Sequence, residues 1–87
     1  NIFKNIVDDE KYDPYEVNIL FGSKLGIEAF KNMVIIFSIY EYEGERGLIG
    51  IIGPQRMEYK ENIKLLNYVT DILKQAINSA VILKLTS

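Results

Sequence analysis

An α+β fold, a small and mostly antiparallel sheet with helices packed on it, is what three features of this 87-residue chain predict. Two strand-like runs joined by a short charged connection containing glycine predict a hairpin. The long terminal stretch places apolar residues at helical spacing, which predicts one amphipathic helix. With 48% hydrophobic and 25% charged residues, the chain has apolar content for one modest core and too much of it for disorder. A single domain spanning 1–87 follows, with no internal repeat, low-complexity tract or linker long enough to split it.

From Asn1 to Glu10, Ile2, Phe3, Ile6 and Val7 share one helical face. The acidic run Asp8-Asp9-Glu10 follows, and Asp13-Pro14 ends the helical pattern, so Tyr12 to Tyr15 reads as a linker. Val17 to Phe21 is short, rich in strand-favouring residues and bounded by Gly22-Ser23, which predicts a strand. Ser23 to Asn32 is ambiguous: Ile27 and Phe30 fit one or two helical turns, and Gly26 weakens them.

Met33 to Tyr42 is the best strand in the chain, with Val34, Ile35, Ile36, Phe37, Ile39, Tyr40 and Tyr42 all favouring a pleated surface. Its first half barely alternates, so both faces there should be covered, by helices or by another subunit. Glu43-Gly44-Glu45-Arg46 is the expected hairpin connection and Gly47 to Ile52 the return strand. Glycines at 47, 50 and 53 weaken that strand and imply a closely packed element or a bulge. A helix then runs from near Met57 or Glu58 to about Leu83, with Ile63, Leu66, Tyr68, Val69, Ile72, Leu73, Ala76, Ile77, Ala80 and Val81 on its apolar stripe.

Composition removes whole classes of chemistry. The chain has no cysteine and no histidine, so disulfides, thiolate nucleophiles, imidazole bases and the commonest metal ligands are unavailable. No cofactor and no catalytic residue is expected. A formal charge of -2 argues against an extensive phosphate-binding surface, which needs clustered Lys and Arg. No apolar run reaches the roughly 18 residues of a membrane span. The cysteine-free composition suits a reducing cytoplasm. An opening without methionine or a signal-peptide pattern suggests a piece of a longer protein.

Glu41, Glu43 and Glu45 alternate near the hairpin, where carboxylates most often form a solvated face that discourages edge pairing. The six tyrosines lack the basic partners that nucleic-acid stacking needs, and read as core or interface anchors. The regular glycine spacing from Gly44 to Gly53 crosses a hairpin instead of opening a helix, so it does not form a phosphate cradle.

The junction Gly53-Pro54-Gln55-Arg56-Met57-Glu58-Tyr59, entered from Gly47-Leu48-Ile49-Gly50-Ile51-Ile52, carries the most specific information in the chain. It resembles the C-terminal signature of the HrcA family of heat-inducible transcription repressors. There the junction usually reads Gly-Pro-Thr-Arg-Met, then an acid, then Tyr. Gly53, Pro54, Arg56, Met57, Glu58 and Tyr59 match, and Gln55 departs, replacing a hydroxyl that could cap the next helix. A packing role suffices for the motif: Gly53 could take a positive φ, Pro54 fixes the exit from the strand, and Met57 and Tyr59 tuck under the sheet. A functional alternative has Arg56 receive an anion or carboxylate beside the helix start.

The resemblance, clearest from Met33 to Leu73, implies the C-terminal part of a GAF-like domain. Family members resemble one another in carrying a winged-helix DNA reader and a dimerising insertion, and in repressing chaperone operons as dimers on an inverted repeat. By this resemblance the chain is the regulatory and dimerising portion of a repressor. It implies a homodimer, operator DNA bound through a domain absent here, and the GroE chaperonin as partner. Ile35, Phe37 and Ile39 on the apolar strand, with Leu66, Val69 and Leu73 on the helix, are the candidate interface. A GAF-like small-molecule sensor is the alternative, by fold analogy. A carboxylate-based enzyme ranks third.

Overall fold

The structure is a computed structural model that describes the backbone of residues 2–86 and the side chains of residues 2–77. Helix α1 spans Ile2–Asp8, strand β1 Asn18–Phe21, strand β2 Met33–Tyr42, strand β3 Glu45–Pro54, and helix α2 Tyr59–Thr86. The three strands form one antiparallel sheet in the order β1-β2-β3. This is the α+β arrangement that the sequence predicts. Ala80 and Val81, assigned to the helical stripe, lie outside the described side chains.

The ambiguous stretch resolves into two short 3-10 helices, Gly22–Leu25 and Glu28–Phe30. Gly26 terminates the first in the left-handed region at φ 73°. That conformation carries no penalty for glycine. The segment before β1 is not a loose linker. Pro14 forms a parallel bridge with Ile39, the Tyr15 N–H donates to the Ile39 carbonyl at 2.7 Å, and the Tyr12 ring stands edge-on to Phe37 at 5.1 Å.

β2 pairs with β3 without interruption from Met33↔Pro54 to Tyr42↔Glu45, which excludes a bulge. The connection is a two-residue turn, Glu43-Gly44, with φ of 52° and 79°. Two successive positive φ values match the right-handed twist of a tight hairpin. β3 is also longer than the sequence predicts, reaching Pro54, which an edge strand tolerates because the missing N–H faces away from the ladder.

β2 is buried from Val34 to Ile39, and the chain's own elements cover both faces. Ile35, Phe37 and Ile39 form a cluster with Ile6 of α1 and Leu25, flanked by Phe3, Leu20 and Leu48. Val34, Ile36 and Ser38 point the other way, under α2. Because α2 lies over β2 and β3, the β1 residues on that face, Ile19 and Phe21, stay half-exposed.

Glycines on β3 meet side chains at close range. The Tyr40 ring lies across Gly47, its cross-strand partner, and a Cβ on Gly53 would sit 2.7 Å from the Met57 sulfur. Close packing is therefore the reason for these glycines.

Candidate regulatory interface

The family-motif junction is built on backbone. After Pro54, a turn is closed by the Met57 N–H donating to the Pro54 carbonyl at 3.0 Å. The Tyr59 hydroxyl reaches back to the Gln55 carbonyl at 2.6 Å. Gln55 lies four residues before the first helical residue, too early for its side chain to serve as the N-cap. Gly53 does not take a positive φ: among the described glycines only Gly26 and Gly44 do. What the site requires of Gly53 is space for the Met57 sulfur, a steric reason instead of a conformational one. Arg56 and Glu58 are exposed, and Arg56 makes no hydrogen bond or ion pair with a described residue.

Sequence reasoning assigned Arg46 only to a charged connection. In the fold it points back across α1. Its Nε donates to the Val7 carbonyl at 2.8 Å, and one terminal nitrogen donates to the carbonyls of Tyr12 at 2.7 Å and Asp9 at 3.3 Å. The other terminal nitrogen lies 3.6 Å from a Glu41 carboxylate oxygen. The last turn of α1 contains no basic residue of its own, so this guanidinium supplies the cation that a helix C-terminus attracts. Nothing local in sequence could reveal a contact spanning 39 positions.

Of the six candidate interface residues, Ile35, Phe37, Ile39 and Leu66 are buried inside the chain. They cannot face a second subunit, because α1 and α2 already occupy both sides of the sheet. Leu73 is half-buried on the sheet-facing side of α2. Val69 is 36% exposed, beside Tyr68 at 67% and Ile72 at 50%, which the sequence placed on the same stripe as the buried residues, and Leu65 at 52%, which the sequence stripe omitted.

α2 therefore carries two apolar stripes. Ile63, Leu66, Thr70, Leu73 and Ile77 face the sheet, whereas Leu65, Val69, Ile72 and Ala76 share a face turned about 120° away. Both stripes repeat at helical spacing, which is why they read as one. Leu65, Leu66 and Val69 also border, with Ile49, Gly50 and Ile51, an open groove of about 140 Å³ between α2 and β3.

That groove has no polar side chain in its lining. A small-molecule site normally adds convergent polar groups to fix ligand orientation, so the groove suits an apolar protein surface better than a metabolite. Two buried hydroxyls, on Ser38 and Thr70, lie in the layer between α2 and the sheet and find no hydrogen-bond partner among the described residues. The acidic residues are dispersed in solvent: Asp8 lies 4.0 Å from Lys4, Asp9 3.6 Å from Lys11, and Glu43 occupies the hairpin turn. Among the described residues no trio of acidic side chains is placed to hold a metal. No described helix is long and apolar enough to cross a membrane.

The model of the HrcA protein C-terminal domain matches residues 1–63, which includes the junction, the whole sheet and α1. The chain belongs to the HrcA family. It is 31% identical over 80 residues to the heat-inducible transcription repressor HrcA of Fusobacterium nucleatum, covering 90% of this chain and 23% of that protein. The HrcA repressor of Thermodesulfovibrio yellowstonii is 36% identical over 67 residues, covering 76% of this chain and 18% of the relative. That of Ruminiclostridium cellulolyticum is 31% identical over 86 residues, covering 86% and 25%. The chain thus spans a quarter or less of the length of these HrcA relatives. No solved structure matches it. The HrcA match extends to the N-terminal helix, a region where the junction motif gives no guidance.

Proposed function

We propose that this chain is the regulatory and dimerising portion of a heat-inducible transcription repressor, in a GAF-like arrangement, with DNA contact made by a winged-helix region elsewhere in the parent protein. The observation that carries this reading is the outward apolar stripe of α2, on a chain of net charge -2 whose family is one of repressors. An acidic segment is poorly suited to bind phosphates, and an exposed apolar helix face is well suited to bind protein. A repressor that reads an inverted repeat needs two equivalent DNA modules at fixed spacing, which a two-fold contact provides. Under this reading the parent controls chaperone operons in the cytoplasm, and the GroE chaperonin restores its folded fraction after heat. No step of catalysis is assigned to these residues.

Deletion of this segment from the parent protein tests the reading. Weak DNA binding should survive, while high-affinity binding to the two-fold operator is lost and chaperone transcripts rise at the normal growth temperature. Undiminished operator affinity in the deleted protein would refute it.

A further inference from the structure

Leu65, Tyr68, Val69 and Ile72 recur at helical spacing on the side of α2 turned from the sheet, each more than a third exposed. The stripe has two different borders. On one side it runs into the apolar groove against Ile49 and Ile51 of β3. On the other lie Lys64 and Asp71, seven residues apart and so nearly aligned along the helix axis.

Two opposite charges on the same flank of an apolar stripe have a simple consequence under a two-fold axis. When a helix pairs with an antiparallel copy of itself, each flank faces the same flank of the partner with its direction reversed. An axis passing near Asn67 and Tyr68 then sets Lys64 opposite the partner's Asp71, and Asp71 opposite the partner's Lys64. Tyr68 meets its counterpart at the axis, and Leu65 fits between the partner's Val69 and the partner's Ile72. In a parallel pair the same flank would not meet itself, and this match would disappear.

Of the nearby charges, Glu61 shares the stripe's face one turn before Leu65 and so bounds the seam at its N-terminal end. Lys74, on the far side of the helix, is drawn over the Tyr15 ring at 4.9 Å and takes no part in it. Lys64 makes only a long, exposed approach of 4.0 Å to Glu61 within its own chain, which leaves it available for a partner carboxylate.

We propose that the Leu65-Tyr68-Val69-Ile72 face of α2 binds a second copy of this chain as an antiparallel two-fold helix pair, with register set by reciprocal Lys64–Asp71 contacts. This rests on the dimerising role proposed above and gives it a surface. The contact is isologous, so it closes at two copies. Specificity comes from charge at the rim and adhesion from the apolar centre.

Charge exchange tests it directly in the 87-residue chain, with association followed by sedimentation equilibrium and folding checked by circular dichroism. Lys64→Asp and Asp71→Lys should each weaken self-association by at least about tenfold, because each places like charges opposite one another twice. The double exchange should restore association to within about threefold, and an equimolar mixture of the two single variants should form a heterodimer. Leu65→Asp with Ile72→Asp should give a folded monomer. A dimer whose affinity ignores the single exchanges overturns this surface and leaves the dimerising role standing. A chain that remains monomeric up to about 1 mM overturns both.

Discussion

Arg46 Nε donates to the carbonyl of Val7 at 2.8 Å, fastening the end of the first helix to the edge strand of the sheet. The same side chain also reaches the Tyr12 and Asp9 carbonyls, so a single guanidinium holds both the end of α1 and the segment that follows it. Its planar fork suits this, because donors are presented in several fixed directions.

Arg46→Ala is expected to destabilise the chain by about 2–3 kcal/mol in urea unfolding, since charge-assisted hydrogen bonds to carbonyls are lost in a partly buried site. Arg46→Lys should recover less than half of that, because an ammonium cannot reproduce the fork. Glu41→Gln removes the ion pair alone. With Glu41 about half exposed, its cost should stay below about 0.5 kcal/mol.

Gly22 is the most demanding glycine in the fold, although the sequence marked it only as the end of a strand. A Cβ there would collide with the Phe30 carbonyl, a backbone group with little freedom to move. At Gly53 the obstacle is the Met57 sulfur, the far part of a flexible side chain. Gly22→Ala should therefore cost about 3 kcal/mol or more, and Gly53→Ala about 1 kcal/mol or less. Thermal unfolding of the two variants side by side measures the contrast, and equal losses would contradict it.

These glycines also show what the sequence could convey. The run Met33–Tyr42 was legible because β-branched and aromatic residues crowd it, the core of the return strand from Gly47 to Ile52 because Leu48, Ile49, Ile51 and Ile52 fill it, though not its ends at Glu45 and Pro54, and the terminal helix because its apolar period is helical. Local order of this kind is written in neighbouring residues. Coverage of β2 on both faces was legible as well, since its first half does not alternate. What covers it was not: α1 and Leu25 on one side and α2 on the other are long-range outcomes. That gap is why Ile35, Phe37 and Ile39 read equally as interface and as core. On α2, Leu65 and Ile72 differ from Leu66 and Leu73 by a single position each, and only the placement of the sheet decides which pair is hidden.

The hairpin turn offers a gain instead of a loss. Glu43 holds φ at 52° and Gly44 at 79°, a pair of conformations that favours Asn-Gly. Glu43→Asn should stabilise the chain by about 0.5 kcal/mol in equilibrium unfolding, because asparagine enters the left-handed region more readily than glutamate. Gly44→Ala should cost about 1 kcal/mol although space is open around it, since the strain is conformational and not steric.

Ser38 and Thr70 bear most directly on a heat response. Both hydroxyls are buried in the layer that joins α2 to the sheet, without a hydrogen-bond partner among the described residues. A buried hydroxyl that has left water and gained no partner weakens the contact that contains it. The docking of α2 is therefore looser than an apolar layer of the same shape would be, and the outward stripe moves with that helix. Ser38→Ala combined with Thr70→Val should raise stability by about 1–2 kcal/mol, which for a domain of this size corresponds to a rise of roughly 4–16 °C in Tm. Under the function proposed above, the same pair introduced into the parent protein should shift derepression to a higher temperature, read from chaperone transcript levels across a temperature series. An unchanged or lower Tm in the double variant would show that these hydroxyls are satisfied in solution and that the heat-labile step lies elsewhere.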